Sequence, residues 1–153
     1  MTRFFSFLIL ILAVIFTVSE NRAQTRKAVS AAEVTGTFRS DFGGKSKQPS
    51  SKIQISALGK GKLKVRFDLV YPYVDGRGEM SANMGAAEGI AEIAGDTAVY
   101  SSQEFGNCKI TIKFLKPGTI KVTQTGVDSE CGFGFNVSAG GTYRKVSRAK
   151  PKF

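Results

Sequence analysis

Residues 108–143 read CKITIKFLKPGTIKVTQTGVDSECGFGFNVSAGGTY, and this stretch decides the fold. Apolar and polar side chains alternate from Cys108 to a turn at Pro117 and Gly118, and the alternation resumes after the turn. Alternation on both sides of a proline–glycine turn predicts a β-hairpin. The hairpin carries a cysteine near each open end, because its second strand returns beside Cys108 and Cys131 follows a few residues later. The glycine-rich run after Cys131 leads into a predicted last strand.

The N-terminus has the organisation of a secretory signal peptide. Arg3 supplies a positive charge, residues 4–18 form an almost unbroken apolar run, and small residues follow at Ser19 and Ala23. The run is shorter than the about 20 residues that a membrane-spanning helix needs. We therefore predict a helical signal peptide over residues 1–23, cleaved after Ser19 or Ala23, with an uncleaved anchor as the alternative. The prediction implies a periplasmic or secreted protein with no transmembrane span once the signal is removed.

An even number of cysteines in an exported chain predicts a disulfide. Cys108 and Cys131 are not spaced like the Cys-x-x-Cys pair of redox proteins, so we interpret them as a structural bridge. The bridge would close a loop of about 22 residues and stabilise the fold by roughly 3 kcal/mol.

The chain after the signal predicts one small all-β domain. Seventeen glycines, twelve phenylalanines and no tryptophan accompany about eight short alternating segments with turns between them. Such connectivity favours a small antiparallel β-barrel, and a β-sandwich is the alternative. We predict a flexible leader over residues 24–31, the barrel over 32–146 and a frayed basic tail over 147–153.

Three details refine this prediction. Residues 35–39 (TGTFR) resemble residues 141–145 (GTYRK), which favours a first and a last strand that lie side by side and close the sheet. Proline and acidic turn residues predict a long loop over 72–85. Small residues at alternate positions of 87–93 predict a strand with a crowded inner face, and a short helix over 81–93 is the competing assignment.

The chain is strongly basic, with a formal net charge of +10 that becomes about +9 after removal of the signal. Such a surface favours anionic partners, although charge can also serve solubility alone. The candidate face for an anionic partner comprises Lys60, Lys62, Lys64, Arg66, Lys109, Lys113 and Lys121. The acidic residues that would form an opposing side are Asp75, Glu79, Glu88 and Glu92.

The composition disfavours catalysis. The chain has no histidine, which removes the usual general base and the commonest metal ligand. Glu88 and Glu92 would lie about 13 Å apart along a strand, too far to share an ion. We predict no enzyme activity, no catalytic residue, no metal and no cofactor. Specific nucleic-acid binding is not expected either, because most aromatic residues fall on inward-facing positions.

About residues 87–145 resemble small exported bacterial proteins of unassigned function. The motifs that carry the resemblance are GDTA at 95–98, Cys108, CGFG at 131–134, NV at 136–137 and GTY at 141–143. This resemblance implies export and a disulfide. The first predicted strand, TGTFRSD at 35–41, resembles that of avidin-type and lipocalin-type barrels, with Phe38 in place of their tryptophan. In architecture the prediction is also similar to periplasmic lysozyme inhibitors, which are small disulfide-bonded barrels.

These observations predict a monomeric, exported, non-enzymatic binding protein. The favoured partner is an anionic polymer of the cell envelope or an acidic protein. One alternative is a periplasmic protein inhibitor that acts through its loops, as lysozyme inhibitors do. The other alternative is a carrier that holds a small apolar ligand inside the barrel.

Overall fold

The structure is a computed structural model that describes residues 28–40 and 50–153. Eight antiparallel strands form a closed barrel in which each strand pairs with the next and β8 returns to β1. The strands are β1 Gly36–Ser40, β2 Lys52–Gly59, β3 Lys62–Val74, β4 Met80–Ala94, β5 Thr97–Ser102, β6 Cys108–Lys116, β7 Thr119–Thr125 and β8 Gly141–Ser147. A short helix, α1 (Ala31–Val34), precedes β1, and a 3-10 helix (Asp128–Cys131) follows β7.

The barrel confirms the predicted fold class, and the sandwich alternative is wrong because β1 and β8 pair and leave no break in the sheet. The predicted signal helix lies outside the described residues, as does the first half of the predicted leader, residues 24–27. Among the residues that the structure describes, no helix is both long and apolar enough to cross a membrane.

The inward-facing side chains fill the barrel. Alternate residues of β3, from Leu63 to Leu69, are buried, and the ring centroid of Phe67 lies 5.4 Å from that of Tyr100. Phe38 and Tyr143 meet this cluster from β1 and β8. Burying each such aromatic side chain contributes roughly 1.5–3 kcal/mol, so strand alternation supplies the main stabilising term.

The inner face of β4 is built from small residues, as the alternation predicted, and the competing helix is wrong. A Cβ atom on Gly89 would lie 2.8 Å from Cε2 of Tyr100, and one on Gly85 would lie 2.8 Å from Cδ1 of Phe133. The glycines therefore make room for aromatic rings that enter from other parts of the chain.

The long loop predicted over residues 72–85 is wrong. β3 and β4 stay paired as far as Val74 and Met80, and only residues 75–79 form the turn. Pairing between β2 and β3 stops at Asp68, and pairing between β4 and β5 stops at Ala91. Residues 71–83, which we call the arm, therefore project as a two-stranded hairpin. Pro72 is tolerated because no strand pairs with β3 on its outer side there.

The opposite end of the barrel is closed by α1. Glu33 and Ser30 form a capping box, in which the Ser30 N–H and hydroxyl donate to the Glu33 carboxylate and the Glu33 N–H donates to the Ser30 hydroxyl. Lys145 of β8 donates from Nζ to the carbonyls of Ala32, Glu33 and Thr35 at 3.0, 2.7 and 2.8 Å. Cationic caps on the last carbonyls of a helix are favourable. The predicted leader thus ends in a capped turn that β8 holds in place.

The last residue of the predicted tail, Phe153, contacts the barrel. The ring centroid of Phe153 lies 4.8 Å from Nζ of Lys64 and 5.4 Å from Cζ of Arg66. The tail therefore crosses from the end of β8 to the outer surface of β3. Cation–π contacts of this kind contribute about 0.5–1 kcal/mol at exposed sites.

Candidate anion-binding surface

The barrel separates the seven basic residues of the predicted face into two groups. Lys60, Lys62, Lys64 and Arg66 lie on β3 and the turn before it, whereas Lys109, Lys113 and Lys121 lie on β6 and β7. Strands β3 and β7 are four places apart in either direction around the barrel, so they lie on opposite sides. The seven residues do not form one face.

Two of the four cations on the β3 side share one carboxylate. Lys64 contacts Oε1 of Glu88 at 2.9 Å, and Arg66 contacts Oε2 of the same carboxylate through Nη2 at 2.5 Å and through Nε at 2.7 Å. The hydrogen bond from Lys64, followed by that from Arg66, lowers the pKa of Glu88 below its ordinary value of 4.5. The Phe153 ring also packs beside Lys64 and Arg66. Lys60 and Lys62 form no ion pair with a described carboxylate, so this side of the barrel keeps part of its positive charge.

The second group lies on a surface made mostly of lysine and hydroxyl side chains. Nine outward-facing residues of β5 to β7 form what we call the Lys–Thr face: Thr97, Val99, Ser101, Lys109, Thr111, Lys113, Lys121, Thr123 and Thr125. Leu115 and Thr119 also face outward and lie next to it at the β6–β7 turn. No residue in this set is acidic. Within residues 28–40 and 50–153, no carboxylate forms an ion pair with any of its three lysines.

Two of these lysines stand directly opposite each other. Lys113 of β6 pairs in register with Lys121 of β7. Opposite side chains in an antiparallel pair have Cβ atoms about 5 Å apart, and like charges there are destabilising. The folded protein therefore keeps a repulsive pair at its surface, and a bound anion would relieve the repulsion.

A groove adjoins the Lys–Thr face at the end of the barrel that holds α1. It has a volume of about 740 Å³ and lies between α1, the β6–β7 turn and β8. Its charged lining residues are Glu33, Lys116, Arg144, Lys145 and Arg148, and its hydroxyl-bearing ones are Thr119, Thr142 and Ser147. The groove is thus predominantly basic. Sequence reasoning did not assign it, because its walls come from three distant segments.

The predicted acidic side is also divided. Asp75 and Glu79 form the turn of the arm, where Oδ1 of Asp75 accepts hydrogen bonds from two backbone N–H groups. Glu88 pairs with the β3 cations, as described above, and Glu92 lies opposite Lys62 near the α1 end.

The arm end of the barrel is apolar and acidic instead. Most of the large hydrophobic side chains that are exposed lie there: Tyr71, Tyr73, Val74, Met80, Met84, Phe105, Val127 and Phe135. The side chains of Phe135 and Met84 are 79% and 72% exposed, so neither packs in the barrel core. Charged residues at this end are mostly acidic, including Asp75, Glu79 and Glu104.

The Cys108–Cys131 disulfide is present, as predicted. It ties the start of β6 to the 3-10 helix at the arm end. The following segment is fixed against β4: the N–H of Gly134 donates to the carbonyl of Met84 at 3.1 Å, and the side chain of Asn83 donates to the carbonyl of Phe135 at 2.8 Å.

The described part of the chain contains no cluster of three or more side chains able to hold a metal ion. No protein-family model, no curated protein and no solved structure matches this chain. The resemblance of residues 87–145 to small exported bacterial proteins stays a prediction.

Proposed function

We propose that this chain is an exported, non-enzymatic binding protein that engages an anionic polymer of the cell envelope through the Lys–Thr face. The observation that carries the proposal is the contrast between the two basic sides. Glu88 forms ion pairs with both Lys64 and Arg66 on β3, whereas the lysines of β6 and β7 have no carboxylate partner in the described chain.

The layout of the face favours a polymer over a small ion. Lys109 and Lys113 are four residues apart on one strand, which separates them by about 13 Å. Lys113 and Lys121 are neighbours across the hairpin. Charges distributed at such spacings suit a partner with repeating anionic groups, and the threonine hydroxyls between them can bond to sugar hydroxyls. An acidic protein is the other partner that the charge admits.

Export rests on the predicted signal peptide and fits the disulfide, because such bonds persist in oxidising compartments. We therefore propose a periplasmic or secreted location, where envelope polyanions are accessible.

The test compares two charge-matched variants of the mature protein. Lys113→Gln with Lys121→Gln removes two charges from the Lys–Thr face, and Lys60→Gln with Lys62→Gln removes two from the other side. At about 1 kcal/mol per lysine, the first variant should bind immobilised polygalacturonate or heparin about 30-fold more weakly. The second should bind nearly as wild type. Equal losses in both variants would show that net charge alone causes the binding.

A second candidate function is favoured by the arm end, where exposed apolar side chains are bordered by acidic ones. This combination fits a protein partner with an apolar patch and a basic rim. It supports the alternative of a protein inhibitor, for which a strongly basic lysozyme is a suitable probe.

That alternative is tested with an arm-shortened variant. Replacing residues 72–82 by Asn-Gly joins Tyr71 to Asn83, which are already register partners. Wild-type protein should inhibit lysozyme stoichiometrically, and the shortened variant should not. The control Ile90→Ser removes an exposed apolar side chain from the barrel wall. Absence of inhibition by the wild type would exclude lysozyme as the target.

The third hypothesis, an apolar-ligand carrier, finds no support in the structure. The interior positions are occupied by buried side chains such as Phe38, Phe67 and Tyr143. The groove beside α1 lies on the outer surface.

A further inference from the structure

We propose that the groove between α1, the β6–β7 turn and β8 binds one anionic saccharide unit, whose negative group is a carboxylate or a phosphate. This inference rests on the proposed function, since it identifies where the end of an anionic polymer would be held. It adds a concave site to the extended Lys–Thr face.

The groove supplies free cations. Lys116 and Arg148 line it, and neither forms an ion pair with a described carboxylate. Lys145 is already committed, since its three hydrogen bonds go to the carbonyls of and beside α1. The one carboxylate of the lining, Glu33, accepts hydrogen bonds from the N–H and the hydroxyl of Ser30, each at 2.9 Å. A ligand anion would therefore meet Lys116 and Arg148 first.

The rest of the lining suits a sugar ring. Thr119, Thr142 and Ser147 provide hydroxyl groups that both donate and accept hydrogen bonds. Pro117 and Val146 provide apolar surface for the C–H faces of a sugar. The lining includes no aromatic side chain, so charge and hydroxyl contacts must supply the binding energy.

The groove is continuous with the Lys–Thr face. Thr119 pairs in register with Lys116 on one side and with Arg144 on the other, and Lys121 pairs with Thr142. A chain whose terminal unit lies in the groove can therefore extend along β7 to Lys121 and Lys113. This path explains why cations and hydroxyls continue from the groove onto the hairpin.

The walls of the groove are held in place before any ligand binds. Lys145 fixes α1 to β8, and its backbone N–H donates to the carbonyl of Gly118 at 2.8 Å, which fixes the β6–β7 turn. A preformed site loses less entropy when it binds a ligand.

The experiment uses mature protein with short and long ligands of defined chemistry. Isothermal titration calorimetry would measure binding of galacturonate trimer and glucose 1-phosphate, with uncharged maltotriose as a control, and polygalacturonate as the polymer. The variants are Lys116→Gln with Arg148→Gln in the groove, and Lys113→Gln with Lys121→Gln on the face. The same ligands are then measured at high salt.

We expect the groove variant to bind the short anionic ligands at least about tenfold more weakly, while the face variant binds them as wild type does. The face variant should lose the extra affinity that the polymer shows over the trimer. If the galacturonate trimer binds more tightly than glucose 1-phosphate, the natural anion comes from a polysaccharide. If glucose 1-phosphate binds more tightly, it comes from a phosphorylated headgroup. Either result supports the site.

Two results would overturn the inference. One is that wild-type protein does not bind the short anions, and the other is that the groove variant binds them unchanged. If polymer binding still depends on Lys113 and Lys121 in either case, the proposed function stands and only the groove assignment fails. If polymer binding also ignores those lysines, both fail.

Discussion

At the scale of single residues, Gly36 determines whether β1 can close the barrel against β8. Its φ is +146°, and a Cβ atom built on it would overlap the carbonyl oxygen of Ser147. The β1–β8 register shifts immediately after it, between Thr37 and Phe38. Only a residue without a side chain fits this irregular crossing.

We expect Gly36→Ala to lower the free energy of unfolding by about 2 kcal/mol or more, because the new methyl group meets backbone that cannot move without breaking the seam. Urea denaturation followed by circular dichroism would measure the change. The matched control is Gly76→Ala in the arm turn, where nothing lies within 4 Å of the added Cβ and φ is not positive. An equal effect in both variants would refute the steric explanation.

Tyr143 is expected to make the folded protein less stable at alkaline pH. Burial raises its pKa to about 12 from the ordinary value of 10.0, and its hydroxyl donates to the carbonyl of Ala139 at 2.9 Å. Between these two pH values the folded state binds more protons than the unfolded state, so stability falls as pH rises from about 10 to about 12. Two pH units correspond to about 2–3 kcal/mol.

The measurement compares wild type with Tyr143→Phe by denaturation across that pH range. As pH rises from about 10 to about 12, the free energy of unfolding should fall more in wild type than in Tyr143→Phe, because the variant has no phenol group to ionise. Lys145 has the opposite effect on stability. Burial lowers the pKa of its ammonium group below 10.5, so just below that pH the unfolded state binds more protons than the folded state. The contribution of Lys145 to the free energy of unfolding therefore rises as pH approaches 10.5. A pH profile identical in both proteins would show that Tyr143 does not carry the alkaline loss.

At the scale of elements, the disulfide holds the arm-end segments to the barrel. Cys108 and Cys131 are 23 positions apart, which corresponds to roughly 3 kcal/mol of chain-entropy stabilisation. We expect Cys108→Ser with Cys131→Ser to lower the free energy of unfolding by about that amount. Reducing agent should lower the stability of wild type equally and leave the double variant unchanged. A stable reduced protein would show that packing of Phe133 alone holds the segment.

The strands themselves were largely predictable. Alternation located β3 and the β6–β7 hairpin, because one face of each is buried and the other is solvated. The arm was missed because Pro72 normally argues against a strand, and only the absence of a paired neighbour makes it acceptable. α1 was missed because four residues are too few for a helical period to show.

The candidate site was predicted only in part for a related reason. Alternation tells which residues point outward, but it does not tell which side of a closed barrel a strand occupies. Lys64 and Lys113 therefore appeared equivalent in the sequence, although Glu88 forms an ion pair with the first and no described carboxylate pairs with the second. The placement of Phe153 depends equally on tertiary contacts that no local pattern encodes.

At the scale of the whole molecule, the barrel separates three kinds of surface. Ion-paired residues lie on β3 and β4, lysines that pair with no described carboxylate lie on β6 and β7, and exposed apolar side chains gather at the arm end. Because a filled barrel core is rigid, these surfaces keep fixed positions relative to one another. A partner on the Lys–Thr face would leave the arm end accessible to a second one.

The barrel should open first at the seam between β1 and β8. Each of these strands pairs at only four positions on both of its sides, whereas β4 pairs at four positions with β5 but at thirteen with β3. The seam also joins the two ends of the described chain, so its contacts cost the most loop entropy to form. Native-state hydrogen exchange at low denaturant should therefore expose amides of residues 36–40 and 141–147 before those of β3, β4 and β6.

The variant Lys145→Met should widen this difference in exchange, because it removes the hydrogen bonds that tie β8 to α1. Simultaneous exchange of all strands in both proteins would mean that the barrel opens only by global unfolding, and that the seam is as stable as the rest of the sheet.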